Sequence, residues 1–335
     1  MAECSKGPDG GEWGRGAFSK HWKKGNAGGL ARTFWRDPRV MAHLELIPKD
    51  NISSFRKLAI GSWKTAYDPT VYGTMTLRMD KALAYIEAFR QKTGIRLTVT
   101  HLLVKAMAEA LRRCPDANAI LRFNKIYLRK RVTVSTLVVQ TDGGKVDLTS
   151  AKLDDAEQKS LREIAAEMEA AVQRVRQRKD EMMEKGKGSI QKIPYMFLNV
   201  FTWLMSFFMY TLNWDMTWAG MPRDAFGSAI ITNVGSLGLD TAYVPLVPYT
   251  RVPIFIAPGA IKDAAVVEDG KVVPGKVMNV NASFDHRFID GFHAGILANT
   301  LREMLENPFA HFDKLDEVAP ALPAETPPPP ASAAG

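Results

Sequence analysis

The sequence predicts an α/β (α+β) fold in which one mixed β-sheet is covered by helices. Segments rich in β-branched residues alternate with segments of helical period along the chain. Several connections between strands are too short to hold a helix, as in the turn DGGK at 142–145, so part of the sheet must be antiparallel. The hydrophobic fraction of 46% and the charged fraction of 24% suit a globular protein with a sizeable core.

The predicted elements have recognisable ends. In chain order they are the strand TVYGTMTLRM, the helices DKALAYIEAFRQKTG and TVTHLLVKAMAEALRRCPDA, the strand pair KIYLRKRVTVSTLVVQT, a long helix, the strands SAIITNVG, VPIFIAPGAI and KVMNVNASFDH, and the helix FHAGILANTLREMLENP. Asp80 and Gly94 mark the start and stop of the first helix, and Pro115 ends the second. Ser160 and Glu163 form a capping box before the long amphipathic helix.

Composition divides the chain into three parts. Residues 1–50 predict a basic, Gly-rich arm, 51–315 the folded domain, and 316–335 a disordered Pro/Ala tail. The net charge is +8, but basic residues alternate with acidic ones along the helices, which indicates solvated helix faces and not a nucleic-acid surface. Cys4 and Cys114 form no disulfide framework, and the first residues lack the apolar core of a signal peptide, so we expect a cytoplasmic location.

An apolar insert at about 186–220 interrupts the alternation of strands and helices. Its centre, 193–214, has 22 residues without a charge, a length that could span a bilayer. Strands flank it on both sides, and one crossing would separate parts of the same sheet, so a transmembrane helix is not predicted. Two interpretations remain: burial in an oligomer contact, slightly favoured, and contact with a membrane surface, which the aromatic residues and the upstream lysines at 185, 187 and 192 would suit.

Charged residues crowd into ASFDHRFIDGFHAG at 282–295. His286 is the candidate general base, because imidazole titrates near neutral pH. A serine hydrolase would need a GxSxG motif, which is absent. No metal site is predicted, because His286 and His293 have no cysteine or HExxH motif beside them.

The motif DHRFIDG at 285–291 resembles the DHRxxDG signature of the acyltransferase components of 2-oxo acid dehydrogenase complexes. It is also similar to the HHxxxDGxH pattern of chloramphenicol acetyltransferase, including His293. The resemblance covers about residues 55–312 and extends, in the family's order, to CPDANAIL, IITNVGSLG, VPIFIAPGAI and VMNVNASFDHR.

This resemblance implies a chloramphenicol acetyltransferase-like fold and a CoA-dependent acyl transfer to a thiol such as dihydrolipoamide. It implies that His286 is the general base and that Thr232 stabilises the oxyanion. The two residues would come from neighbouring chains, at the interface of a homotrimer. Asp290 would hold the turn and pair with an arginine near the start of the domain, for which Arg56 is the candidate.

The same resemblance assigns the remaining residues of the two motifs to support. Asp285 and Arg287 would brace the loop, and Asn233, Gly235 and Gly291 would shape the turns. Coenzyme A is the implied cosubstrate, and no metal is expected. Larger cages built from trimers occur in the family and remain open for this chain.

The sequence also departs from the family. The 50 residues before the domain hold neither a lipoyl domain nor a subunit-binding domain, and Lys81 in MDKA opens a helix, so we expect no lipoyl group on this chain. A separate lipoyl-bearing protein or dehydrogenase component would be the partner. The family's GLxVPxI segment reads GGKVDLTSAKL at 143–153, and the apolar insert is foreign to it. The alternative to an enzyme is therefore a weakly catalytic scaffold or membrane-associated core that organises partner proteins.

Overall fold

The computed structural model of the protein describes residues 44–49, 68–142, 145–176 and 194–316. Most of the predicted arm, nearly all of the predicted tail, and Arg56 lie outside the described residues. The strands are β1 (Leu46–Pro48), β2 (Thr70–Arg78), β3 (Ala119–Arg122), β4 (Lys125–Arg129), β5 (Thr133–Asp142), β6 (Lys145–Asp154), β7 (Ala229–Ile231), β8 (Ile254–Glu268) and β9 (Lys271–Asp285). The α-helices are α1 (Asp80–Thr93), α2 (Val99–Arg113), α3 (Leu161–Arg176), α4 (Leu198–Ser206), α5 (Gly291–Glu306) and α6 (Pro308–His311).

Six strands form the main sheet in the order β2-β9-β8-β7-β5-β6. β7 runs parallel to both of its neighbours, while the other pairs are antiparallel. The predicted mixed sheet is thus confirmed. β8 and β9 form a long hairpin closed by Asp269 and Gly270, which both have positive φ (49° and 75°), as a tight two-residue hairpin turn requires.

The helices α1, α2, α3 and α5 contribute to one apolar core with the main sheet. α2 is central to it, with Leu102, Leu103, Met107 and Leu111 fully buried, and burying each such side chain is worth about 1.5–3 kcal/mol relative to exposure. His101 forms a reciprocal capping box with Thr98 at the start of α2. Burial lowers the pKa of His101 to about 4, so this histidine is a neutral cap.

Two local predictions about helix starts have different outcomes. The Ser160–Glu163 capping box forms as predicted, with Ser160 N donating to Glu163 at 2.8 Å and Glu163 N donating to Ser160 at 3.2 Å. The prediction of Asp80 as N-cap is wrong, because Met79 occupies that position. The Asp80 carboxylate instead accepts from Arg78 Nε at 3.0 Å and from Lys276 N at 3.2 Å, which ties α1 to the β8–β9 hairpin.

A second, three-stranded sheet has the order β1-β4-β3. β1 lies before residue 51 and pairs antiparallel with β4, so the folded body begins earlier than the predicted boundary. The later half of the insert packs on this small sheet. Met209, Tyr210 and Met216 form an apolar cluster there with Leu44 and Ile120.

The part of the insert described from residue 194 to α4 is more exposed. It contains a short 3-10 turn (Tyr195–Phe197) followed by α4, whose Val200 and Trp203 are 55% and 60% exposed. Within the described ranges, no helix combines the length and the hydropathy needed to cross a bilayer. The insert is therefore anchored in its own chain on one side and presents apolar side chains on the other.

Candidate active site

The turn that carries His286 is held from both sides. Asp285 is the last residue of β9, and its N–H donates to Pro253 O at 2.9 Å, while the His286 N–H donates to Pro69 O at 2.9 Å. The imidazole Nδ1 lies 2.8 Å from Ile289 O. A carbonyl only accepts hydrogen bonds, so Nδ1 carries the hydrogen and Nε2 of the neutral ring keeps its lone pair. This is the tautomer that a general base acting through Nε2 needs.

Asp285 and Arg287 form an ion pair across the turn. Arg287 Nε donates to Asp285 Oδ1 at 2.9 Å and Arg287 Nη2 donates to Oδ2 at 2.5 Å, a two-point contact that fixes orientation as well as charge. Asp285 is buried, so its carboxylate needs this partner. The pair holds the backbone on either side of His286.

Asp290 caps α5. Its carboxylate accepts from Phe292 N at 3.0 Å and His293 N at 3.2 Å, and His293 Nδ1 lies 2.6 Å from Oδ1. His293 Nε2 lies 3.7 Å from Asp116, which also pairs with Lys49. Burial alone would raise the pKa of Asp116, but the contacts with His293 and Lys49 outweigh it and hold that pKa at about 2. His293 thus links the start of α5 to the segment after α2; Arg56, the predicted partner of Asp290, lies outside the described residues.

Replacing Asp290 with alanine is expected to lower the free energy of unfolding by about 1–2 kcal/mol, because two backbone N–H groups and His293 lose their acceptor. Asp290→Asn is the matched control, since an asparagine side chain also caps helix starts. Urea denaturation of the three proteins at one concentration measures the difference. An alanine variant as stable as the wild type would contradict this role.

Thr232 directly follows β7 and continues the ladder, because its N–H donates to Ile256 O at 2.9 Å. Asn233 then turns the chain: its Oδ1 accepts from Ser236 N at 3.1 Å. At Gly235 a Cβ would lie 2.3 Å from Gly259 O, so this backbone contact requires glycine. Gly291, in contrast, is the exposed first residue of α5 and has room for a side chain.

His286 and Thr232 lie far apart along the sheet within one chain. The ladder places Ile231 beside Ile256, and Ala257, one residue further on, beside Asn281. His286 is five residues beyond Asn281, which corresponds to about 16 Å along the strand. β8 lies between β7 and β9, so these two strands are about 10 Å apart. The side chains of the predicted base and the predicted oxyanion donor therefore do not meet in a single chain.

Two cavities lie near these two positions. Beside the Thr232 segment, a cavity of about 650 Å³ is lined by Asn233, Gly235 and Ser236 together with residues of α1 and α2. Beside the His286 turn, a cavity of about 550 Å³ is lined by Asp285 and Arg287 together with residues of α4. Either volume is large enough for a small-molecule ligand. Among the described residues, no three His, Cys, Asp or Glu side chains are grouped to hold a metal ion.

Comparison with known proteins places these motifs in a family. Residues 52–191 and 223–312 match the family described as 2-oxoacid dehydrogenases acyltransferase (catalytic domain), which is well over half of the chain. The chain belongs to this family. The match stops and resumes around 192–222, the region of the apolar insert, and it confirms the resemblance read from DHRFIDG.

The chain is similar to the dihydrolipoyllysine-residue acetyltransferase component of the pyruvate dehydrogenase complex of Rhizobium meliloti, with 27% identity over 273 residues. The match covers 79% of this chain and 50% of that protein, so the chain spans about half the length of its relative.

The fold is similar to that of the dihydrolipoamide acetyltransferase of Azotobacter vinelandii, with a TM-score of 0.53 and 21% identity over 79% of this chain and 99% of that one. The cubic core of a pyruvate dehydrogenase multienzyme complex is similar with a TM-score of 0.53 and 20% identity, over the same shares of the two chains. The fold predicted for the family is thus confirmed.

Three residues that the structure brings to the site were not predicted from the sequence. Lys49 and Asp116 support His293, and Arg251 lines the cavity beside the His286 turn. Arg251 could have been recognised as a candidate, because it is the single charge in the apolar stretch VPLVPYTRVPIFI. No sequence pattern marks Lys49 and Asp116, since only the fold brings them together.

Proposed function

We propose that this chain is a CoA-dependent acyltransferase that moves an acyl group between coenzyme A and a thiol of the dihydrolipoyl type. The observation that carries the proposal is the hydrogen bond of 2.8 Å between His286 Nδ1 and Ile289 O, within the family's signature motif. It leaves Nε2 as the basic atom of an imidazole that is held in place. A thiol is a poor nucleophile until it loses its proton, so such a base has a defined task here.

The proposed reaction starts with the acceptor thiol beside His286. Nε2 takes the thiol proton, and the thiolate attacks the carbonyl carbon of the acyl-CoA thioester. The oxygen of the tetrahedral intermediate becomes negative and accepts a hydrogen bond from the hydroxyl of Thr232 of a neighbouring chain. The intermediate then collapses, the CoA sulfur leaves, and it receives the proton from Nε2. The transfer is reversible with the same groups.

The Azotobacter vinelandii enzyme supports these roles by analogy. A serine, a histidine and an asparagine were studied there for their part in the catalytic mechanism, and its histidine and asparagine are four residues apart, as His286 and Asp290 are here. Threonine in place of serine keeps the hydroxyl that would meet the oxyanion. Aspartate in place of asparagine keeps an oxygen that caps α5.

The proposed assembly is a homotrimer with its active sites between chains, open to further association into a cage like the cubic core of the related complex. Because His286 and Thr232 lie far apart along one sheet, a second chain is what would complete each site. The proposed partners are a separate lipoyl-bearing protein or dehydrogenase component, and the proposed location is the cytoplasm.

A second candidate function is a scaffold or membrane-associated core with little catalysis. It is favoured by the apolar side chains that the insert exposes, such as Met196 at 79% and Trp218 at 82%. Such side chains suit a contact with another protein or a membrane surface. On this alternative, the segment 193–214 and not His286 would carry the function.

An acyl-transfer assay separates the two candidates. The full chain is incubated with acetyl-CoA and dihydrolipoamide, and the acylated lipoamide is measured by chromatography and mass spectrometry. The enzyme proposal predicts turnover above the uncatalysed rate. No product with this or any other thiol or small acceptor, across a series of acyl-CoA donors, would favour the scaffold.

A further inference from the structure

We propose that the cavity beside His286 binds an apolar acyl chain that ends in a carboxylate, and that Arg251 recognises this carboxylate. The inference rests on the proposed acyltransferase function and specifies the class of its acyl substrate. It assigns a role to the insert, whose helix α4 forms one wall of the cavity.

Five parts of the chain line the cavity of about 550 Å³. They are α4 of the insert, the loop between β7 and β8, the turn on either side of His286, β3, and the two residues at 68–69 before β2. Most of the residues that line it are apolar or aromatic, among them Leu121, Trp203, Leu246, Tyr249 and Phe288. An acetyl group would leave most of this space empty, whereas a chain of several methylenes would bury apolar surface against these walls.

Arg251 differs from the other charged residues that line this cavity in its partners. Its Nε donates to Ser206 Oγ of α4 at 2.9 Å, which orients the guanidinium. Among the described residues, no carboxylate lies within ion-pair distance of it. Of the other charged residues in the lining, Asp285 and Arg287 neutralise each other, and Asp68 is exposed and accepts from Thr70 N at 3.0 Å.

The surroundings of Arg251 favour an anionic ligand. Burial, and to a smaller extent Arg287, lower the pKa of Arg251 against the smaller opposing effects of Tyr210 and Asp285, yet a guanidinium stays charged near neutral pH. A charge in such a place is unfavourable unless an anion pairs with it, and the planar fork of a guanidinium matches the two oxygens of a carboxylate. Its backbone φ of 55° places this arginine in a conformation that side-chain-bearing residues rarely adopt.

The cavity is placed to receive an acyl chain. Asp285 and Arg287, the residues on either side of His286, both line it. A thioester positioned for transfer at His286 could therefore extend its chain between α4 and the β7–β8 loop. The far end of that chain would then meet Arg251, so the cavity would select both for chain length and for terminal charge.

The first test compares adipyl-CoA with 6-methylheptanoyl-CoA, a neutral isostere, as donors to dihydrolipoamide. We expect wild-type kcat/KM to favour adipyl-CoA by about 10- to 100-fold, the range of a buried charge-assisted hydrogen bond. Arg251→Met is expected to abolish or invert this preference, and Arg251→Lys to keep part of it. Ser206→Ala is the matched control, because it removes the Nε contact and keeps the charge. If Arg251→Met lowered kcat/KM equally for both donors, the proposal would be overturned.

The second test measures binding without turnover. Isothermal titration of the full chain with adipyl-CoA, 6-methylheptanoyl-CoA, CoA and dephospho-CoA should show tighter binding of adipyl-CoA only when Arg251 is present. If Arg251→Met weakens the binding of CoA itself as much as the binding of adipyl-CoA, the arginine binds a nucleotide phosphate and the proposal is wrong. Turnover without a preference for adipyl-CoA would contradict this inference and leave the proposed function intact. Binding that depends on Arg251, without turnover, would contradict the proposed function and leave this inference intact.

Discussion

Replacing His286 with alanine is expected to lower the kcat of acyl transfer by about 10²- to 10⁴-fold, the usual contribution of a positioned general base. The substitution removes the imidazole whose orientation is fixed by the hydrogen bond between Nδ1 and Ile289 O. The KM for acyl-CoA should change little, because in the proposed reaction the imidazole acts on the acceptor thiol. Steady-state kinetics with acetyl-CoA and dihydrolipoamide measure both parameters.

The matched control is His311→Ala. His311 lies in α6 at the protein surface, with its Nε2 3.4 Å from Glu303, and is away from both predicted catalytic residues. Its replacement should leave kcat unchanged. Equal, nonzero rates for the wild type and His286→Ala would show that another group takes the thiol proton. A urea denaturation curve like that of the wild type would show that the alanine variant is folded.

Local patterns in the sequence were sufficient to predict most of the fold. The Ser160–Glu163 capping box and the left-handed Gly94, with φ of 72°, were predictable because each depends on residues a few positions apart. The mixed sheet followed from the short connections between strands. The positions of His286 and Thr232 came from the family resemblance, since a histidine near an aspartate is by itself common.

What the sequence did not predict depends on contacts between distant segments. β1 pairs with β4 although about 80 residues separate them, and nothing local in Leu46–Pro48 marks it as a strand. The insert packs on the same small sheet, because Met209 and Tyr210 find apolar partners there. Asp80 does not cap α1, because the β8–β9 hairpin offers its carboxylate other donors. Only the fold brings these partners within reach.

The separation of His286 from Thr232 makes a prediction about mixed oligomers. Thr232→Val, which keeps the shape and removes the hydroxyl, is expected to lower kcat by about 10²- to 10³-fold, as the loss of an oxyanion donor does. When chains carrying His286→Ala and chains carrying Thr232→Val are co-expressed in equal amounts, about one quarter of the interfaces in a symmetric trimer should combine an intact His286 with an intact Thr232. The mixture should therefore recover about a quarter of wild-type activity per chain.

A second mixture separates this arrangement from a site within one chain. Wild-type chains co-expressed with equal amounts of the double variant should also give about one quarter of the activity if His286 and Thr232 come from different chains. A site within one chain would instead give no recovery in the first mixture and about one half in the second. Equal recovery in the two mixtures is thus the signature of an active site shared between chains. It would also explain why Thr232 and His286 lie near two separate cavities of one chain, because each cavity would be part of the complete site.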